Sequence, residues 1–290
     1  MVISENHKAI LYTLLGILLF SITTALAKWL TMSNNVFLVT FFRNSLGFLF
    51  ILAVVFYKQR IFLPKPKTSI SNHMLRGFLG FIATLALFLS FAKLPLQDAT
   101  VLTYLGPLIL TILSVLVLRE KLDWKNWLSL TIGFIGILLI LKPSGMVSTT
   151  GLTFGIFAAL SNACALIVIK KISKQESALT ITFYYLLIST LFSTIFLPFV
   201  WETPSQLHIG GMVLLGISSS LAHYCLATGL RHAPASTVAP FNYTSIIWAS
   251  LFGILFWNED IRVSLLLGGF LIIGSGVFMA LSKKKSSLPT

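Results

Sequence analysis

Arg43 is the one charge set well inside an apolar run, V-F-L-V-T-F-F-R-N-S-L-G-F-L-F, and a charge in hydrocarbon is expensive enough to need a partner or a task. A guanidinium there suits binding a small molecule's carboxylate or gating a polar passage; a structural contact to helix-end carbonyls would account for it equally. The acids are informative by where they are missing. Glu5, Asp98, Glu120, Asp123, Glu176, Glu202, Glu259 and Asp260 all fall at the ends of apolar runs or between them. A carrier that trades a proton for a cation needs a carboxylate near the middle of the membrane, so the pattern points to a facilitator or exchanger. His223 is the titratable alternative near neutral pH, with a packed, neutral imidazole as the competing reading. Glu120 and Glu259 hold equivalent places and are candidate gating residues; beside Arg119, Lys121 and Arg262 the competing reading is a solvated helix end.

A polar cavity has a further set of candidates in Ser21, Thr24, Trp29, Thr100, Tyr104, Asn162, His223, Tyr224, Asn242, Tyr243 and Trp248. Aromatic faces can hold a cation or a flat ring without a fixed charge, although interhelical hydrogen bonding is a common fate for such residues. Trp29 also suits the aromatic belt at the membrane interface. Pro95 and Pro234 stand near helix starts, where the missing N–H costs nothing. Pro107 and Pro240 lie deeper and are candidate hinges, or simple kinks. No H-E-x-x-H pair and no serine motif with a matched acid occurs, and the histidines at 7, 73, 208, 223 and 232 are scattered. The chain is therefore read as no enzyme, with no metal and no cofactor. Cys164 and Cys225 fall in different apolar runs and read as packing residues.

The elements that must position these residues are dictated by composition. The 290 residues are 56% hydrophobic and 10% charged, with a mean hydropathy of +0.92, whereas soluble domains are about a quarter charged. Apolar runs of about 20 residues recur over 9–30, 35–56, 74–93, 97–118, 124–141, 151–170, 178–200, 209–230, 235–257 and 263–281. Such runs read as helices, because only helices and closed barrels satisfy the backbone in lipid and barrel strands alternate. Lys8 before 10–20 and the A-L-A at 25–27 resemble a secretion signal, but cleavage there would leave an odd set of spans. The net charge of +13 comes from residues at span ends, which argues against a nucleic-acid partner. With the N-terminus in the cytoplasm, about sixteen Lys and Arg, Arg76 among them, lie inside, and about four, including Lys28, lie outside. Both termini are then cytoplasmic.

The second half repeats the first at a shift of about 139 to 142 residues. Leu94-Pro95 meets Ala233-Pro234, Glu120 meets Glu259, Thr40-Phe41-Phe42 meets Thr182-Phe183-Tyr184, and Gly77 meets Gly216. Five spans per copy is odd, so the second copy enters the membrane from the opposite face. The expected fold is all-α and integral to the membrane: ten transmembrane helices as two inverted five-helix repeats, 1–146 and 147–290. Such pseudo-symmetry suits alternating access. It also argues against a channel, whose pore is commonly built from subunits around an axis normal to the membrane.

The stretches L-P-L-Q-D-A-T-V-L-T-Y-L-G-P at 94–107, leading to R-E-K-L, and H-A-P-A-S-T-V-A-P-F-N-Y at 232–243, leading to N-E-D, each precede a glycine-bearing last helix. Over essentially its whole length the chain thereby resembles the drug/metabolite transporter superfamily, in its ten-helix EamA-type members. The resemblance implies a central cavity lined by the first, third, fourth, sixth, eighth and ninth spans, and transport of amino acids or other metabolites. The F-F-R at 41–43 and K-K-I-S-K-Q-E-S at 170–177 are similar to the S-adenosylmethionine carriers of intracellular bacteria. The expectation is a multi-pass transporter in a bacterial inner membrane, a monomer or weak homodimer whose partners are a small-molecule substrate and lipid. A proton-coupled exporter is the alternative within the class; an intramembrane enzyme or a channel is the alternative outside it.

Overall fold

The computed structural model describes residues 5–59, 66–106, 109, 112–113, 116, 124–140, 148–172, 175–232, 244–260 and 263–285. Among the described residues the chain forms eleven helices and no strand. They are α1 (Glu5–Ser33), α2 (Val36–Gln59), α3 (Ile70–Phe91), α4 (Leu96–Thr103), α5 (Trp124–Ile140), α6 (Thr149–Ile172), α7 (Ala178–Thr194), the single-turn α8 (Leu197–Val200), α9 (Gln206–His232), α10 (Thr244–Trp257) and α11 (Val263–Lys285). Four stretches, Ile10–Ser33, Val36–Tyr57, Ile70–Phe91 and Thr149–Ile169, are long and apolar enough to cross a membrane by length and composition. Large apolar side chains such as Tyr57, Phe199 and Phe270 point outward into what a bilayer would supply.

Helix ends follow local chemistry. The Ser69 side chain accepts the Ser71 N–H and starts α3 at Ile70, four residues before the expected 74, because polar Ser71, Asn72 and His73 are helical. Ser177 accepts the Thr180 N–H and opens α7. The expected span 178–200 is broken into α7 and α8, with Pro198 in the first turn of α8, where a proline is tolerated. Asn258, with φ 51, closes α10 in the left-handed region that asparagine tolerates. Its N–H reaches the Ile254 carbonyl at 3.2 Å, and the Glu259 N–H reaches that of Gly253 at 3.1 Å, which turns Glu259 back toward the bundle.

The helices pack reciprocally between the halves. α1 lies on α9 and α3 on α6, α2 lies on α7, α4 on α10, and α5 on α11. In terms of the expected spans, the first of each half meets the third of the other, and the second, fourth and fifth meet their own counterparts. The α2–α9 crossing is close because both surfaces carry glycine. A Cβ on Gly47 would sit 2.6 Å from Ser220 Oγ, and one on Gly216 would sit 2.7 Å from Leu46 Cβ. The larger apolar core joins residues of α1, α2, α3, α4, α6, α9 and α10, among them Leu30, Leu38, Phe91, Leu102, Ala159, Met212 and Ala249.

Candidate substrate cavity

Between the halves lies a cavity of about 250 Å3, lined by Phe20, Ser21, Thr23 and Thr24 of α1, Arg43 of α2, and Arg76, Gly80, Ala83, Thr84, Leu87 and Phe88 of α3. Thr100 and Thr103 of α4, Ala158, Ala159 and Asn162 of α6, Tyr185 of α7, His223 of α9 and Ser245 of α10 complete it. On α3 the lining residues follow Arg76 at positions 4, 7, 8, 11 and 12 along the chain, the stripe that one face of a helix presents. Helices α2 and α7 therefore line the cavity in addition to the six spans expected from the family resemblance.

Arg43 is 4% exposed. Its Nη1 donates to Asn44 Oδ1 at 2.8 Å and to the Tyr185 hydroxyl at 2.7 Å, and its Nη2 lies 3.2 Å from His223 Nε2. A guanidinium only donates, so His223 accepts through Nε2 and is neutral in this arrangement. The Tyr185 hydroxyl also lies 3.2 Å from Thr84 Oγ1. The expectation that Arg43 is the lone charge deep in a span is corrected. Arg76, counted from sequence among the cytoplasmic cations, is 8% exposed and faces the same cavity. With α3 beginning at Ile70 it sits almost two turns into the helix. Its guanidinium lies over the Tyr185 ring at 4.2 Å, with Arg43 5.8 Å from the same ring centre. These distances place the two cations no more than about 10 Å apart, and at an effective dielectric of about 20 they repel by about 2 kcal/mol. No carboxylate lines the cavity among the described residues. Among the described residues Arg43 Nε, Arg76 Nε and Nη1, and Thr100 Oγ1 are buried without a hydrogen-bond partner. Arg76 announced itself only through Gly80, four residues on. A Cβ there would collide with Arg76 Nη1 and lie 2.5 Å from the Tyr185 ring.

Two cavity hydroxyls of α1 are satisfied locally: Ser21 donates to the Ile17 carbonyl at 2.9 Å and Thr24 to that of Ser21 at 2.8 Å. Asn162 is exposed within the cavity. Tyr104 is buried and bonded to the lining hydroxyl of Ser245, so it stands one shell behind the cavity wall. Trp29, Tyr224 and Trp248, expected at the site, are not among its lining residues. Trp29 packs edge-on to His208 at 5.4 Å and lines a separate apolar groove of about 480 Å3 with Phe252, Phe256 and Trp257. Its indole is drawn there by flat apolar neighbours. Trp248 packs on Phe252 at 6.2 Å. Asn242, Tyr243, Glu120, Pro107 and Pro240 lie outside the described residues.

Two carboxylates of the second half close contacts with the first. Glu259 Oε1 accepts from Lys28 Nζ at 2.8 Å and from the Leu96 N–H at 2.7 Å, at the start of α4. Lys28 Nζ also donates to the Leu94 carbonyl at 2.9 Å. Both side chains are 9% exposed, so Glu259 is no solvated helix end, and its partner is Lys28, which was counted from sequence among the few cations on the outer side. At the other end of α3, Glu176 Oε1 accepts from the Lys67 N–H at 2.6 Å, the Thr68 N–H at 2.7 Å, the Thr68 hydroxyl at 3.0 Å and His73 Nε2 at 3.2 Å. Burial pushes the Glu176 carboxyl up, but the Thr68 N–H, His73, the Thr68 hydroxyl and the Lys67 N–H together hold it below the usual carboxylate range.

An all-helical bundle with long apolar spans and a polar cavity between its halves has the build of a multi-pass membrane transporter. Residues 7–142 and 149–281 each match the EamA-like transporter family, and the chain belongs to that family. It is 29% identical over 277 residues to an S-adenosylmethionine uptake transporter of Rickettsia prowazekii (strain Madrid E), covering 96% of this chain and 94% of the relative. It is 26% identical over 289 residues to a pseudopaline exporter, CntI, of Pseudomonas aeruginosa (strain UCBPP-PA14), covering 98% and 100%. A solved crystal structure superposes with a TM-score of 0.67 at 18% identity, covering 97% of this chain and 99% of the other, which is a likeness of fold. The chain is thus a transporter and not an enzyme.

Proposed function

We propose that this protein is a secondary transporter carrying a small carboxylate-bearing metabolite, an amino acid or amino-acid derivative, across a bacterial inner membrane by alternating access. S-adenosylmethionine, which bears an α-carboxylate, belongs to that class. Facilitation or exchange is favoured over proton coupling. On this reading the ten spans form two inverted repeats with both termini cytoplasmic, and Lys28–Glu259 and Glu176 hold opposite ends of the path between them.

The observation that carries the proposal is Arg43, buried at 4% exposure in a cavity between the halves, with no carboxylate among the described lining residues. A buried cation lacking a counter-ion is costly unless a ligand supplies one. Reciprocal packing of α1 on α9 and α3 on α6 supports the symmetry that alternating access exploits. One observation favours proton-coupled export as a second reading: His223 lines the cavity and touches Arg43.

The test is uptake into liposomes holding the purified full chain, with S-adenosylmethionine, short dicarboxylates and a panel of amino acids, with and without a pH gradient. Saturable uptake accelerated by substrate on the far side is expected, and Arg43→Ala should lower it more than it lowers folded yield. Absence of saturable uptake across the panel ends the carrier reading. Accumulation driven by the pH gradient ends facilitation and moves the function to the proton-coupled alternative.

A further inference from the structure

We infer that the Arg43–Tyr185–Arg76 cradle is a two-point anion site, and that the carried metabolite has two carboxylates and a net negative charge. This rests on the carrier reading and narrows its substrate class. Arg43 and Arg76 face one cavity from adjacent helices, with the Tyr185 ring beside both. Arg43 commits its Nη groups to Asn44, Tyr185 and His223, while its Nε–H has no partner among the described residues. Arg76, more than nine-tenths buried, has among the described residues the face of the Tyr185 ring, and its Nε and Nη1 are buried there without acceptors. Buried donors of this kind mark a site where the acceptor arrives with a ligand, and a planar guanidinium fork matches a carboxylate.

One carboxylate on Arg43 would leave Arg76 uncompensated. A zwitterion would add an ammonium to a cavity whose described lining offers it hydroxyls and the Asn162 amide and no carboxylate. A cationic ligand would face two like charges. A second carboxylate answers Arg76 and neutralises the site. Size points the same way, since about 250 Å3 lies below the roughly 300–1,000 Å3 of pockets that take drug-sized ligands. A short dicarboxylic acid, or an acidic amino acid whose amine is acylated and so uncharged, fits both limits.

Gly80 keeps the arrangement possible, because any side chain there would displace Arg76 from the Tyr185 face.

The test uses the full-length protein in detergent, with succinate, alanine and S-adenosylmethionine as probes at matched ionic strength and thermal shift as the readout. Succinate should bind at least ten-fold more tightly than alanine or S-adenosylmethionine. Arg76→Gln should weaken succinate ten- to a hundred-fold and alanine less than three-fold, with Arg76→Lys in between. Succinate ranking no better than alanine in the wild type overturns the proposal without recourse to a variant, as does succinate affinity untouched in Arg76→Gln. Liposome uptake separates the two levels. Saturable alanine or S-adenosylmethionine transport without succinate binding sinks the two-carboxylate rule and leaves the carrier standing. Arg76-dependent succinate binding with no saturable transport of any probe does the reverse.

Discussion

Glu259→Ala is expected to be among the most destabilising single changes in the chain, although the residue lies in a connection between helices. In the folded protein its carboxylate joins Lys28 at 2.8 Å and the Leu96 N–H at 2.7 Å, with both charged side chains 9% exposed. Removing it leaves an ammonium with the Leu94 carbonyl as its remaining acceptor and strips the first turn of α4 of its cap. Breaking a buried pair from one side costs about 3–5 kcal/mol, because the surviving charge is uncompensated. Glu259→Gln keeps an oxygen for the Leu96 N–H and loses the charge. It should cost about 1–2 kcal/mol, the difference between charged and neutral hydrogen bonds. At about 2 °C per kcal/mol for a chain of this size, alanine should lower the apparent Tm by about 6–10 °C and glutamine by about 2–4 °C. Tryptophan fluorescence at one fixed scan rate reads this, and a fixed rate is needed because membrane-protein melting is commonly irreversible. Lys28→Met should cost as much as Glu259→Gln or more, and the double variant should recover about 1–3 kcal/mol relative to additivity. An alanine variant within 2 °C of wild type, or strict additivity in the cycle, would refute the claim that this pair holds the halves together.

Other changes test other contacts. Glu176 has a folded-state pKa below the usual carboxylate value, so its stabilisation is present at neutral pH and is lost as pH falls through that lowered value. Glu176→Gln should melt lower than wild type at pH 7 and show a shallower loss as pH falls below about 4.5, where the unfolded carboxylate takes up its proton; parallel curves would contradict this. Gly47→Val drives a Cβ to within 2.6 Å of Ser220 Oγ at the α2–α9 crossing and should cost about 1–3 kcal/mol by thermal shift. Asn258→Val forces a β-branched residue to φ 51 and should cost about 1–2 kcal/mol, whereas Asn258→Gly should melt near wild type.

The helical class and the multi-pass build were legible because continuous apolar runs carry both. The run at 35–56 is α2, Val36–Gln59, one residue off at its start and three at its end. Arg43 was legible for the same reason, as a charge flanked on both sides by apolar sequence. Arg76 was not, because a cation near a span edge looks the same whether it anchors at the headgroups or turns inward. The difference is made by Ser69, which starts α3 early, and by Gly80, which opens the space beside the guanidinium. The Lys28–Glu259 pair joins residues 231 apart, and charge counting by loops necessarily reads each partner as solvated. Trp29 lines the apolar groove and not the polar cavity, a choice that aromatic type alone does not make. Phe252, Phe256 and Trp257, far along the chain, decide it.

The two carboxylate contacts also bear on how a carrier of this design limits leak. α3 and α4 are consecutive, so their N-termini are separated by the length of α3. Glu176 holds the segment that leads into α3 and Glu259 holds the start of α4. Both acids come from the second half of the chain, and the cavity with its two arginines lies among the helices so held. On the carrier reading, moving the halves to open one end releases one carboxylate and leaves the other in place. If each contact is worth about 2–3 kcal/mol, in keeping with charge-assisted bonds to backbone N–H groups, a state open at both ends is rarer than either singly open state by a further factor of about 30–150. Substrate can shift the balance only by what it gains in one state over another. A ligand that neutralises Arg43 and Arg76 gains most where they are best shielded from water, so its binding energy favours the closed intermediate between the two open forms.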